Sequence, residues 1–358
     1  MSDKTFTSLK QYEEAAKEKL DDLTNSYFYK GPNSSAGLKR NEEALQKVFL
    51  CPNICVDVSK RSTQITLLGK ELSMPVGIGP CALHSLTNKD GELATARAAE
   101  YSKVLYVVSQ YSTQPLRDIR KTAPNTLIFM QINMLSEEFI TRSYIEGIER
   151  EGVNGFVLTL DHNSFSPDRP TLNEEFRSTV YLPNMPEGFC DYAKAANSVN
   201  KWTNDSYTWE SVKRIMTYTT LPIIVKGILS PKNAREAIKT GVAGIWVSNH
   251  GGRNSSDYPA TIDAFRSIAP IVKASGILLF ADGGIRTGGD ILKFLALGAK
   301  MVFIAKPVIS ALVVNGSEGL NSVFSLLKSD LETNMAMCGY NSIDEVDQNC
   351  LWDNRSNI

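Results

Sequence analysis

Residues 244–261 read G-I-W-V-S-N-H-G-G-R-N-S-S-D-Y-P-A-T. The first four, Gly244 to Val247, are apolar without a break, as a strand buried on both faces must be. The chain then turns polar at once, and a glycine-broken turn sets His250 and Arg253 three residues apart. Seven other short apolar runs stand near Pro75 to Ile78, Leu105 to Val108, Leu127 to Met130, Gly155 to Leu158, Pro222 to Val225, Leu278 to Ala281 and Met301 to Ile304. Amphipathic helical stretches separate most of them. One, Asn233 to Lys239, is opened by Ser230-Pro231 and closed by Gly241. Eight strand-and-helix units in succession predict an α/β fold, a (β/α)8 barrel. A doubly wound sheet is the alternative, but it requires a G-x-G-x-x-G turn after its first strand, and none stands there.

Two regions fall outside that repeat, although all of 1–358 reads as one domain. The first seventy residues form a helical lead-in. Ser8 to Leu23 has helical periodicity in Leu9, Tyr12, Ala15, Ala16, Leu20 and Leu23, and Asn41 to Leu50 reads as a second short helix. Tyr27 lies just past the first helix, in a Y-F-Y cluster ahead of Gly31. After strand 4 comes a long loop. Residues 165–218 exceed an ordinary connection, are rich in Asn, Pro, Ser and Tyr, and are expected to form a lid that sets substrate choice.

Composition excludes several classes. With 42% hydrophobic and 22% charged residues and a formal net charge of -1, the 358-residue chain has no electrostatic reason to bind nucleic acid or an anionic membrane. No apolar run approaches the roughly eighteen residues of a membrane span, and Met1 to Lys10 lacks the apolar core of a signal peptide. Six cysteines are too few for a disulfide scaffold in a chain this long. Cys51 and Cys55 have no second pair nearby, so no metal site is expected and a reducing compartment is.

In a barrel the reactive groups sit where the strands run out at their carboxyl ends. Polar residues stand there: Ser109, Gln131, Thr159 and Asp161, then Lys226, Ser248 and His250, and Asp282. Histidine titrates nearest neutrality and suits proton abstraction, while arginine offers a planar fork that matches a carboxylate. Together His250 and Arg253 fit a small acid being deprotonated. The plainer reading of the pair alone is that the two merely hydrogen-bond their turn. The loop D-G-G-I-R-T-G-G, Asp282 to Gly289, is a moderate phosphate signal. Its glycines Gly283 and Gly284 let backbone amides approach an anion, Arg286 adds charge, and the following helix presents its N-terminus.

Five blocks carry a resemblance: S-N-H-G-G-R with P-A-T, G-P-C-A ending at Ala82, L-T-L-D ending at Asp161, L-P-I-I-V-K-G around Lys226, and F-A-D-G-G-I-R. In this order, over nearly the whole chain, they resemble the FMN-dependent 2-hydroxy-acid oxidases and dehydrogenases. The resemblance implies that FMN is bound and that a 2-hydroxy acid is oxidised to the 2-oxo acid, with electrons passing to flavin N5. His250 would be the base, Asp161 its carboxylate partner, and Arg253 and Tyr27 the contacts to the substrate carboxylate. Lys226 would lie beside the flavin N1 and O2, and Ser109, Gln131 and Thr159 would meet the ring edge. Pro80, Cys81, Ala82, Ser248 and Asp282 would line the cofactor, with Gly283, Gly284, Arg286, Ala305 and Lys306 at its phosphate. The resemblance further implies dioxygen or another oxidant as electron acceptor, and a homo-oligomer, a tetramer.

Departures from the family pattern matter as much. The family usually has Gly-Arg where this chain has Ala305-Lys306, which keeps the charge and loses the bidentate fork. Asn133 stands where many members place a tyrosine whose hydroxyl lies near the substrate, and Tyr111 stands where glycolate oxidase has tryptophan. The second substrate arginine aligns with Asp168, leaving Arg169 one residue later. The expected substrate is therefore not plain glycolate but a bulkier or more polar 2-hydroxy acid, because the shorter Asn133 leaves room beside the flavin and its amide both donates and accepts. The competing reading is a flavin-binding homologue with weakened catalysis. A nucleotide dehydrogenase falls behind both, for want of a catalytic cysteine in a glycine-rich loop. The ending Arg355-Ser356-Asn357-Ile358 loosely resembles a peroxisomal tripeptide, so cytoplasm and peroxisome are both expected.

Overall fold

The computed structural model describes residues 6–135, 137–161, 180–186, 190–191 and 206–352. Eight parallel strands close into a barrel in chain order: β3 (Val76–Ile78), β4 (Tyr106–Ser109), β5 (Ile128–Asn133), β6 (Gly155–Thr159), β7 (Ile223–Ile228), β8 (Gly244–Val247), β9 (Leu278–Asp282) and β10 (Met301–Ile304). β10 returns to pair with β3. The architecture is thus the α/β barrel that the apolar runs predict.

Several strands run further than those runs do. Ser109 pairs with Gln131, Asn133 with Thr159, and Thr159 with Lys226 while still within the ladder. A boundary drawn where hydrophobicity ends therefore falls short: these polar residues occupy strand positions whose side chains serve the barrel mouth. Below them the interior is aromatic. Trp246 stacks on Phe303 with ring centroids 3.9 Å apart, and Phe280 meets both rings.

The helices around the barrel are α4 (Glu92–Ser102), α5 (Leu116–Thr122), α6 (Glu138–Arg150), α7 (Trp209–Met216), α8 (Pro231–Thr240), α9 (Thr261–Ser275), α10 (Gly288–Ala296) and α11 (Lys306–Met337). The predicted ends of α8 hold: Ser230 Oγ accepts from the Asn233 amide, and Gly241 closes the helix in the left-handed region at φ 86°. Part of the expected lid, residues 206–218, contains α7; most of the remainder lies outside the described residues.

The lead-in differs from the prediction. The helix expected over Ser8 to Leu23 is two, α1 (Leu9–Lys19) and α2 (Asp22–Tyr29). Asp21 starts the second by accepting from the Thr24 amide, a cap the apolar periodicity does not reveal. Tyr27 is accordingly inside α2. The helix expected from Asn41 to Leu50 is α3, Pro32–Gln46, kinked by left-handed Asn33, Ser34 and Ser35. An antiparallel hairpin, β1 (Ile65–Leu67) with β2 (Lys70–Leu72), completes a lead-in that is not purely helical. Among the described residues, no helix is long and apolar enough to cross a membrane.

Candidate active site

The loop after β8 is held from three sides. Its backbone turns through left-handed His250, φ 58°, and then through Gly251 and Gly252. Asn249 exchanges two amide hydrogen bonds of 2.8 Å with Asn41 of α3, and its Oδ1 also accepts from the Gly252 amide. Asn254 donates to the Asp161 carbonyl. Arg253 donates through Nη2 to the Tyr27 carbonyl at 2.6 Å, and its guanidinium lies 5.1 Å from the Tyr27 ring centroid. The lead-in therefore forms one wall of the site.

His250 Nδ1 lies 3.2 Å from both carboxylate oxygens of Asp161, whose side chain is 8% exposed. A carboxylate only accepts, so this contact puts the ring proton on Nδ1 and the lone pair on Nε2. The pair thus has the polarity that a base at the barrel mouth requires.

Beside it is a second charged group. Ser248 Oγ donates to both oxygens of Asp282, at 2.7 and 2.9 Å, and accepts from the His250 amide. Burial raises the Asp282 carboxyl above its ordinary range, against the opposing pull of Lys226 and Ser248. Lys226 Nζ is 3.8 Å from Asp282, its side chain 5% exposed.

On the β4–β6 side, Gln131 Oε1 faces the Ser109 hydroxyl and the Gln110 amide, and its Nε2 donates to Thr159 Oγ1 and Asn133 Oδ1. Asn133 Nδ2 then donates to the Tyr111 hydroxyl. The space beside a short Asn133 is therefore bounded by Tyr111. Pro80, Cys81 and Ala82 follow β3 at the same rim, where burial pushes the Cys81 thiol up to about 12.

At the far end of the rim, Lys306 opens α11. It is half-buried, and desolvation first, then Arg286 and Arg253, push its pKa down to about 7. Its ammonium donates to the Gly251 carbonyl at 3.3 Å. Arg286 bridges Glu13 of α1 and Glu42 of α3, at 3.2 and 3.1 Å. Burial raises the Glu13 carboxyl, but Arg286, Lys17 and Lys306 together hold it below its ordinary range.

Two details of the expected phosphate loop differ. The amides of Arg286 and Thr287 donate to Asp290, and that of Gly288 to Asp330, so these three amides at the entry to α10 already have acceptors. A Cβ on Gly283 would stand 2.7 Å from Thr261 Oγ1, and one on Gly284 3.0 Å from the Asn41 backbone. The glycine pair thus seats the loop against α3 and α9. Arg286 and Lys306 set positive charge beside this loop.

The structure brings Tyr27, Asp161, Lys226, His250, Arg253 and Asp282 to one end of the barrel. Arg169 lies outside the described residues. Sequence reasoning missed Asn41 and Asn249, which lock the His250 loop, and Glu13 and Glu42, which balance Arg286. Asn249 sits inside the S-N-H-G-G-R block, the one signal that pointed to any of them.

The profile of the FMN-dependent dehydrogenase family matches residues 16–353. The chain belongs to that family. Glycolate oxidase 3 of Oryza sativa subsp. indica is 34% identical over 96% of this chain and 95% of its own. 2-Hydroxyacid oxidase 2 of Bos taurus is also 34% identical, over 96% and 97%. Among solved structures, mandelate oxidase with (S)-4-hydroxymandelic acid superimposes with a TM-score of 0.88 at 29% identity, covering 97% of this chain and 98% of that one. A further mandelate oxidase structure gives 0.86 with the same identity and coverage. The chain is an FMN-dependent enzyme of the 2-hydroxy-acid oxidase and dehydrogenase family, and FMN is its cofactor.

The residues present fit that cofactor. Lys226 is buried, and its carboxylate neighbour among the described residues, Asp282, is too distant for a normal hydrogen bond, which suits a flavin ring edge. Arg253 Nε is buried without a hydrogen-bond partner among the described residues. Arg286 and Arg253 both press the Lys306 pKa down, a repulsion among cations that a phosphate would relieve.

Proposed function

We propose that the enzyme oxidises a 2-hydroxy acid larger than glycolate to its 2-oxo acid. The observation that carries this reading is the His250–Asp161 pair, with Arg253 three residues on and braced on Tyr27. Arg253 and Tyr27 hold the substrate carboxylate. Nε2 of His250 takes the proton released as the alpha carbon is oxidised, and Asp161 stabilises the imidazolium that results. When bound, FMN supplies the two-electron acceptor. Lys226 sets positive charge beside the flavin ring, and Arg286 and Lys306 hold the phosphate.

An apolar cluster beside this site, with Leu83, Leu182 and Met185 buried and Tyr27 and Tyr111 packed on them, supports a substrate with an apolar side chain. The intact His250–Asp161 geometry weighs against a homologue with decayed catalysis. The proposal includes a homo-oligomer, the tetramer that the resemblance implies, located in cytoplasm or peroxisome. The test is turnover of a panel of 2-hydroxy acids with the 2-oxo product trapped as a hydrazone. Products from acids with apolar side chains, at higher efficiency than glyoxylate from glycolate, are expected. Preference for glycolate overturns the size assignment, and no product from any acid overturns the reaction.

A pH effect follows from Lys306. Below about 7 the lysine carries its charge, and above that it loses it, so FMN affinity falls as pH rises through that value. A bound phosphate raises the lysine pKa, and the decline levels off above that raised value. Lys306→Arg stays charged throughout and gives a flat profile. Quenching of FMN fluorescence, titrated from pH 7 to 9 where the phosphate stays a dianion, measures this. A flat profile in the parent removes Lys306 from the phosphate site.

A further inference from the structure

The amide network on the β4–β6 side has a direction. The backbone N–H of Gln110 can only donate, and it meets Gln131 Oε1 at 3.3 Å. Gln131 must then turn its nitrogen the other way, where it lies 3.1 Å from both Thr159 Oγ1 and Asn133 Oδ1. That bond in turn fixes Asn133 with its nitrogen toward the Tyr111 hydroxyl, at 3.0 Å. A carboxamide nitrogen only donates, so the Tyr111 oxygen accepts and its own proton is directed away from Asn133. Reversing the buried Asn133 carboxamide would set its N–H groups against the Gln131 Nε2 donor, and its backbone N–H is separately held by Gln110 Oε1 at 2.7 Å. Tyr111 itself is half-buried, in the cluster that includes Tyr27, and the Tyr27 ring lies beneath Arg253.

We propose that the Tyr111 hydroxyl donates a hydrogen bond to an oxygen of the bound acid, and that Gln131 and Asn133 are positioning residues that aim it. The proton stays on the phenol; no bond is made or broken. Asn133, where the resembled family places a tyrosine, thereby becomes the group that orients a hydroxyl arriving from the neighbouring strand's loop. This rests on the 2-hydroxy-acid reading above.

The test uses the FMN-loaded enzyme and oxalate as probe, with binding read from the perturbed flavin absorbance. Tyr111→Phe deletes the donor and keeps the ring, and it is expected to weaken oxalate by about 10- to 100-fold, the usual size for a hydrogen bond to a charged group. Asn133→Asp keeps the shape and the Gln131 bond but, once ionised, only accepts. Tyr111 would then turn its proton to the aspartate, so this variant should match Tyr111→Phe, with a loss that grows as pH rises and the carboxyl ionises. The double variant should be no weaker than either single one. A retained flavin spectrum in each variant shows that the fold is intact.

Oxalate binding and substrate reduction both within twofold of the parent in Tyr111→Phe would overturn the inference. So would an Asn133→Asp loss that does not change with pH, which is what a merely structural role predicts. If the parent reduces its flavin with a 2-hydroxy acid while Tyr111→Phe is unaffected, only this inference falls. If the parent binds oxalate through Tyr111 yet is reduced by no 2-hydroxy acid, the donor stands and the proposed reaction falls. A parent that does neither overturns both.

Discussion

His250→Gln is expected to keep its FMN and to lose turnover by about a hundred- to ten-thousand-fold, the usual contribution of a positioned base. Glutamine preserves much of the size of the side chain but offers no nitrogen basic enough to take a proton from carbon. The loop should survive the change, because its anchors lie elsewhere: the Asn249–Asn41 exchange, the bond from the residue-250 backbone N–H to Ser248 Oγ, and the Arg253–Tyr27 contact. Lys226, Arg286 and Lys306 are untouched, so cofactor content should match the parent. Stopped-flow reduction at saturating substrate, alongside the FMN-to-protein ratio, separates the two effects. Reduction at the parental rate would make His250 a structural residue.

The second large effect is on stability, from Gly252→Ala. Gly252 sits at φ 73°, and a Cβ there would stand 2.3 Å from the carbonyl carbon of Gly37 and 2.4 Å from the Leu38 nitrogen. Both are backbone atoms of α3, so a side-chain rotation cannot relieve the contact. Overpacking of this kind costs roughly 1–3 kcal/mol, and the left-handed conformation adds about 1–2 kcal/mol. The total is a large fraction of the roughly 5–15 kcal/mol that holds a domain together. Gly276 provides the control, since it has the same φ of 73° and nothing within 4 Å of its added Cβ. Gly276→Ala should lose only the conformational part. Denaturant titration of both variants decides this: equal losses would mean that α3 does not clamp the loop. Gly252→Ala should also release FMN, because shifting α3 moves Glu42 and Asn41 together.

The barrel was legible because its strands are buried on both faces and carry no polar residue until they end. The same rule marked the rim, since a polar residue closing an apolar run has few other places to be. It failed by one to three residues at Ser109, Asn133, Thr159 and Ile228, where the ladder continues beneath side chains that face the site. The lead-in was less legible. Its helix breaks depend on one cap at Asp21 and on three left-handed residues at Asn33 to Ser35, none of which disturbs hydrophobic periodicity. The clamp between Asn41 and Asn249 joins residues 208 positions apart, and no local pattern encodes such a pairing. The loop over Asp282 to Gly289 shows the opposite limit. Its glycines and arginine read as an anion cradle, while Asp290 takes the amides of Arg286 and Thr287 and the glycine pair packs closely against Asn41 and Thr261, contacts that no local pattern announces.

The central claim is that His250, with Asp161 behind it and Arg253 beside it, deprotonates a 2-hydroxy acid on a barrel that holds FMN. The most direct measurement mixes the FMN-loaded enzyme anaerobically with 2-hydroxy acids bearing apolar side chains and follows the flavin absorbance. Bleaching of the yellow band by such an acid in the parent, and its loss in His250→Gln at equal FMN content, is the predicted result. A band that persists with every acid tried, in an enzyme that still binds oxalate, would contradict the account.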